Sequence, residues 1–331
     1  MRDIHNILVI SLSNIGDVIL TLPVVAVLRE EFPGGNISIL VGRRAYGAVK
    51  DNPEFSEVII YDKSKTLKEK WLFIKHLRKR HYDLIVDLRH SLFPLFLGAK
   101  NRSPLFFKKA GPAEHRVKKH LRSLERFGFK TDKIRFPFYV SEAARESIKR
   151  ILGGKIEGGL VVINPTAASH LKCWGDERFI LLAHRIKEIF SFPLVIVGGR
   201  EDRKKCRKIS GEIEGSFNLG GKLSFHELAA LLERAKVFIT NDSGPLHLAS
   251  AIGVPTLAIF GPTDPLKYGP LSPLNRVVRK DLSCSPCELA QCPGGKHQCM
   301  KLLSVDEVFS AFKEILNEEQ RKSQKDSIGA N

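Results

Sequence analysis

The feature that most restricts this chain is a series of short segments that are apolar almost continuously instead of at every second position. HNILVI (residues 5–10), NISILVG (36–42), SEVIIYD (56–62) and DLIVDL (83–88) form one series, and LVVINP (160–165), PLVIVGG (193–199), VFIT (237–240) and PTLAIFG (255–261) form another. A strand with one face in water alternates, whereas a strand apolar on both faces must be covered on both, as in a parallel sheet between helices. The intervening segments supply covers: VILTLPVVAVLREEF, a short helix near 44–51, KEKWLFIKHLRKRH, DERFILLAHRIKEIF, SFHELAALLERA and PLHLASAIG. Ser224 and Glu227 read as a capping box at the start of SFHELAALLERA. This alternation predicts doubly wound α/β architecture. It restarts after the glycine-rich LGGKIEGG (152–159), so two Rossmann-like halves are expected, 1–154 and 155–316, followed by a flexible tail over 317–331. The cleft between two such halves is the default place for a ligand.

The chain has 331 residues, with 53 Lys and Arg against 36 Asp and Glu, a net charge of +17. Residues 1–150 hold 29 basic and 16 acidic side chains, leaving 24 and 20 for the rest. The first half is therefore built to face something anionic: nucleic acid, an acidic membrane surface or a phosphorylated substrate. No groove-reading helix, RNP signature or standard zinc finger accompanies the charge, which argues against nucleic acid. No apolar run approaches the ~18 residues of a spanning helix. The N-terminus lacks a small-residue cleavage site, so a cytoplasmic location is expected. Six cysteines are too few for a disulfide scaffold in a chain of this length.

Four strand-to-helix turns hold residues with chemistry to offer. In Asn14-Ile15-Gly16-Asp17, Gly16 permits a tight turn. Asp17 at a helix start is either a general base toward an incoming hydroxyl or an ordinary cap. In Asp242-Ser243-Gly244-Pro245-Leu246-His247, backbone N–H groups and the helix dipole make a cradle for a diphosphate, and His247 on the first turn reaches the same ligand or is a core histidine. In the stretch from Asn164 to Trp174, Lys172 supplies a point charge for phosphate or is a solvated loop lysine. After Gly198-Gly199, Glu201 stands where acids bind ribose hydroxyls. There is no P-loop and no D-x-D pair, so a nucleotide diphosphate would be neutralised by Lys172 and a helix N-terminus instead of a metal ion.

Together NILVISLSNIGDVILTLP, NPTAASHLKCWG and NDSGPLHLASAIGVPTLAIFGPTDP resemble glycosyltransferase family 9, which includes the ADP-heptose:lipopolysaccharide heptosyltransferases. The resemblance runs over roughly residues 5–316 and is most specific from Asn241 to Pro265. It implies the GT-B fold, with an acceptor-binding N-terminal domain and a nucleotide-sugar-binding C-terminal one. It implies an inverting, metal-independent enzyme without a cofactor, moving heptose from ADP-heptose to the inner core of lipopolysaccharide. It carries the general base onto Asp17 and the phosphate-binding base onto Lys172. The diphosphate turn falls on Asp242, Ser243, Gly244 and His247, the ribose contact on Glu201, and substrate contacts near the base on Asn14 and Gly16. Ala167 and Ala168 depart from the family's hydroxyl-rich loop, so Thr166 and Ser169 are given no role.

An anionic lipid core would suit the basic half. Residues 100–135 hold 12 basic and 3 acidic side chains, among them Lys108, Lys109, Arg116, Lys118, Lys119 and Arg122. SLFPLFLGAKNRSPLFF (91–107) beside them is apolar and aromatic. It fits either a buried helix or a contact with the inner-membrane interface. Cys284, Cys287, Cys292 and Cys299, with His297 among them, are spaced like no common zinc module. They fit a structural metal or reduced packing thiols, and similar segments occur in heptosyltransferase II-like relatives. Three rivals remain: a family member with another sugar or acceptor, a nucleic-acid-binding protein with a metal at the cysteines, and a nucleotide-sugar epimerase.

Overall fold

The structure, a computed structural model, describes residues 4–11, 14–103, 114–129, 131, 133–153 and 159–328. Lys108, Lys109 and the end of the apolar segment 91–107 lie outside these. The chain forms two compact units that divide between Tyr139 and Val140.

In the first unit, β1 (Asn6–Ile10), β2 (Asn36–Gly42), β3 (Glu57–Tyr61), β4 (Leu84–Asp87) and β5 (Asn101–Arg102) form one sheet in the order β3-β2-β1-β4-β5. All its pairings are parallel. In the second, β6 (Leu160–Asn164), β7 (Leu194–Ile196), β8 (Phe217–Asn218), β9 (Ala235–Asn241), β10 (Thr256–Ile259) and β11 (Asn275–Val278) run in the order β11-β10-β9-β6-β7-β8. They too are parallel throughout. Both orders reverse direction at their first strand, so the switch points lie between β1 and β4 and between β6 and β9. There, adjacent connections leave on opposite faces and open a crevice beyond the carboxyl ends of the strands. The expectation of two doubly wound layers holds. Residues of β1, β2, β6 and β9 that were read as continuously apolar are buried nearly throughout.

Three boundaries differ from the sequence reading. The helix after β1 is broken: Ile15–Ile19 ends before Thr21, and Leu22–Glu31 begins anew. Pro23 lacks the N–H that would continue the first helix. Thr21 Oγ1 is drawn instead to Val18 O at 2.6 Å and to Ser11 Oγ at 3.0 Å. Helix Glu142–Leu152 was counted with the first half but packs on Phe225–Leu232 of the second unit. Arg145 grips both carboxylate oxygens of Glu233 at 2.8 and 2.9 Å, and Ser147 donates to Glu227 at 2.6 Å. The C-terminal helix runs from Val305 to Ile328, so most of the expected tail is helical. Arg276 holds Glu314 and Glu318, and Lys236 holds Glu319, which tie it to the sheet well past residue 316.

The second core gathers Trp174, Phe179, Phe309, Phe312 and the inward residues of β6, β9 and β10. Gly198 and Gly220 are there by necessity: a Cβ on either would lie 2.7 Å or less from an atom of the buried Cys206. In the first unit, helix Arg116–Leu121 packs on Leu22–Glu31 and buries His120, whose Nδ1 donates to Leu20 O at 3.2 Å. Burial pushes this imidazole down to about 4 from 6.5. The unfolded chain therefore binds the proton more tightly. The stability this neutral histidine confers is complete above pH 6.5 and is lost as the pH falls toward 4, by about 3 kcal/mol at most. We expect the urea stability of the wild type to fall more steeply between pH 7 and 4 than that of His120→Gln, which keeps a donor and does not titrate. Parallel pH profiles would refute this assignment.

Candidate active site

The second unit's switch point is built around two asparagines that end their strands side by side. Asn164 closes β6 and Asn241 closes β9, with Asn164 in register beside Thr240. Both are buried. Asn164 Nδ2 donates to Ser243 Oγ at 3.0 Å and to Thr240 Oγ1 at 3.1 Å, and Thr166 Oγ1 returns a bond to Asn164 Oδ1 at 2.9 Å. This network engages the Ser243 hydroxyl, so it does not cap helix Gly244–Ile252, which carries Pro245 in its first turn and has no side-chain cap. An uncapped helix start leaves N–H groups and the positive end of the dipole available to an anion.

Lys172 reaches that helix start from the neighbouring loop. Its Nζ donates to Asp242 Oδ2 at 2.6 Å, with Asp242 buried and the lysine one-third exposed. The loop is held by Trp174, whose N–H donates to Asn241 Oδ1 at 3.1 Å and whose indole Nε1 donates to Leu303 O at 2.9 Å. The Trp174 ring meets Phe179 edge to face. His297 Nε2 bonds Leu171 O, directly beside Lys172. His247 is buried on the first turn of the helix. The Gly198-Gly199 turn adjoins the same loop, since a Cβ on Gly198 would touch Thr166 at 3.5 Å. The Glu201 carboxylate lies over Gly199 and is exposed. Lys205 joins this turn to the loop through Asp176 at 3.2 Å. Lys172, Asp242, Ser243 and Gly244 thus meet at one sheet edge, with His247 one turn along the helix and Glu201 at the next strand's end.

In the first unit, Asp17 stands inside helix Ile15–Ile19, not at its cap, and is half-exposed. The cap position is Asn14, whose Nδ2 donates to Asp17 Oδ2 at 3.0 Å instead of capping. Asn14 is therefore the aspartate's partner. Gly16 is buried within the helix and forms no left-handed turn. Across the switch point the sequence reading missed Asp87. It ends β4 beside Ile10, is buried, and accepts from Arg89 N–H and Ser91 N–H at 2.8 Å and from Ser91 Oγ at 2.6 Å. This carboxylate shapes the loop that follows β4. The signal was present as D-x-x-x-S after an apolar run. Asn164, Asn241 and His297 stand in the motifs without a role assigned from sequence. Each acts by orienting another chain segment, which a motif does not display.

The basic residues that are described cluster on helix Arg116–Leu121 and its neighbours. Partial burial and the nearby Arg116 and Arg122 hold Lys119 below the usual lysine range. Arg122 pairs with Glu114, and Lys118 is exposed. Cys299 is buried, Cys287 and Cys292 half-buried and Cys284 exposed. Backbone N–H groups of His297 and of residues 294–296 draw the Cys292 thiol below its ordinary range. Among the described residues, no three His, Cys, Asp or Glu side chains stand together as a metal site. Instead the cysteine-rich segment braces loops: Cys287 and Glu288 N–H both donate to Pro262 O, and His297 holds Leu171.

Removing the Asn164 amide leaves the hydroxyls of Thr240, Thr166 and Ser243 short of a partner. We expect Asn164→Leu to lower second-unit stability by about 2–3 kcal/mol, against less than 1 for Glu201→Gln at the exposed neighbouring turn. Equal losses in denaturant melts would show that the amide is not the organising group.

The geometry can be set beside known proteins. The model of glycosyltransferase family 9 (heptosyltransferase) matches residues 71–298. Lipopolysaccharide heptosyltransferase 3 of Escherichia coli is 28% identical over 77% of this chain and 82% of its own. Lipooligosaccharide heptosyltransferase 2 of Campylobacter jejuni is 28% identical over 91% and 95%. Among solved structures, a family 9 glycosyltransferase from Veillonella parvula superimposes with a TM-score of 0.82 at 22% identity over 95% of this chain and 97% of that one. The E. coli ADP-heptose lipopolysaccharide heptosyltransferase II gives 0.76 at 21% over 95% and 99%. These likenesses place the two parallel sheets in the GT-B fold. Since the matched region contains both switch-point loops of the second unit and most of the chain, the protein belongs to glycosyltransferase family 9.

Proposed function

We propose that this glycosyltransferase moves a heptose from ADP-heptose onto the inner core of lipopolysaccharide, with inversion and without a metal ion. The observation that carries the reading is Lys172 poised 2.6 Å from Asp242 at the uncapped start of helix Gly244–Ile252. Three cationic donors on Lys172, one engaged by Asp242, and the N–H groups around Ser243 and Gly244 suit the charge that gathers on a departing diphosphate. Asp242 bears the same sign as that diphosphate, so its part is to aim Lys172. His247 would contact the diphosphate from the first turn, and Glu201 would take the ribose hydroxyls. Donor and acceptor are named from the relatives, which include an ADP-heptose lipopolysaccharide heptosyltransferase and two heptosyltransferases of lipopolysaccharide or lipooligosaccharide.

The acceptor belongs to the first unit, where Asp17 removes the proton of the attacking hydroxyl and Asn14 holds that carboxylate. The acceptor oxygen bonds to the anomeric carbon while the bond from that carbon to the diphosphate oxygen breaks. The electron pair leaves with ADP, the proton resides on Asp17, and the anomeric configuration inverts. The basic first unit would meet the anionic core at the cytoplasmic face of the inner membrane, with no part for nucleic acid.

ADP release should require both ADP-heptose and a core-truncated lipopolysaccharide, and should persist in EDTA. UDP-, GDP- and CMP-sugars should give none, and release without acceptor would favour an epimerase or hydrolase. Asp17→Asn should lower kcat by 10²–10⁴-fold with donor affinity unchanged. Lys172→Met should weaken donor binding and slow turnover together. Near-normal kcat in purified Asp17→Asn would remove the base assignment, and an EDTA-abolished reaction restored by a divalent ion would remove metal independence.

A further inference from the structure

Helix Leu67–Arg78 covers its sheet with Phe73, Ile74 and Leu77, yet its outward side is not simply polar. Leu67 is 85% exposed, Trp71 54% and Leu72 52%. The short helix Phe93–Leu97 packs on it, and Tyr61 meets both Phe73 and Phe93 beneath them. That second helix and the residue before it leave Leu92, Leu95 and Phe96 exposed as well. Exposed aromatic and large aliphatic residues on two adjacent helices are more than the scatter of single apolar side chains on a folded surface.

The charge around them selects the partner. Residues 63–80 contain eight Lys and Arg and one acid, Glu69. Glu69 is engaged by Thr66 in a capping box and by Lys65. Among the described residues, Lys68, Lys70, Lys75 and Lys79 form no ion pair with a carboxylate. Lys75 Nζ lies over the Trp71 ring, 3.6 Å from its centroid. A second copy of this chain would bring the same cations face to face, which opposes self-association. An anionic bilayer satisfies both halves of the surface, since aromatic and leucine side chains enter the boundary of headgroups and acyl chains while lysines extend to the phosphates.

We propose that the outward face formed by Leu67, Trp71 and Leu72 with Leu92, Leu95 and Phe96, ringed by Lys68, Lys75 and Lys79, docks the first unit on an anionic membrane surface. This deepens the membrane contact proposed above and rests on that reading. It keeps the start of the apolar segment 91–107 and puts the helix Leu67–Arg78 in place of the basic run 100–135.

The test needs no donor or acceptor. Full-length protein is floated with vesicles of phosphatidylglycerol and phosphatidylethanolamine, and separately with phosphatidylcholine alone. Binding is expected to the anionic vesicles, falling with salt. Tryptophan emission should shift to shorter wavelength and resist acrylamide. Of the two tryptophans, Trp174 is 1% exposed, so the signal reports Trp71. Trp71→Phe should float normally without the shift. Leu72→Ser with Phe96→Ser should lower flotation at least tenfold. Lys68→Gln with Lys75→Gln should lower it on the order of 25-fold at low salt. The proposal is overturned if the wild type fails to float, if the two double variants float like it, or if sedimentation shows an oligomer that Leu72→Ser with Phe96→Ser dissolves. Turnover on a lipid-free core glycan, run in parallel, separates the two readings. Turnover without flotation sinks the docking face alone, whereas specific flotation without turnover upholds it and sinks the proposed donor and acceptor.

Discussion

The organising contact of the second unit is the buried amide of Asn164. It sits where two parallel strands end together and the chain leaves them in opposite directions, a place where backbone and side-chain polar groups are drawn out of water. An asparagine can donate and accept at once, and Asn164 spends both capacities across the gap, on Ser243 and Thr240 from one side and Thr166 from the other. Once Ser243 is held there, the following helix begins uncapped. A helix start with unspent N–H groups favours an anion, and Lys172 adds a positive charge beside it. The local stability of the strand ends and the proposed capacity to receive a diphosphate therefore come from one arrangement.

The same logic appears with opposite sign in the first unit. There the switch point carries carboxylates: Asp87, buried and saturated by the N–H groups of its own loop, and Asp17, half-exposed and touched by Asn14. The saturated acid has spent its acceptors on backbone and is structural. The acid with accessible oxygen is the one proposed above as the general base. Burial and satisfaction separate the two roles more sharply than residue type does.

Support for the site comes from outside the motif. Trp174, His297 and the carbonyls of Leu171 and Leu303 connect the Lys172 loop to a cysteine-rich segment more than 100 residues away. That segment also rests on Pro262 after β10. A loop carrying a charged side chain gains precision when its backbone is pinned on several sides, because the ordering cost is met before any ligand arrives. The cysteines, which invite a metal assignment from spacing alone, have in this fold a visible part as packing and bracing residues.

Strand and helix identity were legible because burial on both faces leaves an unbroken apolar signature. Helix Asp176–Phe190 was readable from its amphipathic spacing and acidic first turn, and the Ser224–Glu227 capping box from its own pair of residues. The turns carrying Asp17, Lys172, Asp242 and Glu201 were legible because glycine, proline and polar residues between a strand and a helix fall at the sheet's carboxyl edge. Three things were not. Helix Glu142–Leu152 belongs to the second unit because its apolar face finds Phe225–Leu232, a choice among covers that chain order does not make. The C-terminal helix is held to the sheet past residue 316 because Arg276 and Lys236 capture Glu318 and Glu319 across the fold. Asn14 is the aspartate's neighbour in space as well as in sequence, and only the helix geometry aims its amide at Asp17. Sequence by itself determined the elements, the edge and the chemical types that line it, since these depend on periodicity and local backbone preference. Tertiary structure decided which groups are spent on one another and which stay available, since hydrogen-bond partners and solvent access are set by residues far apart in the chain.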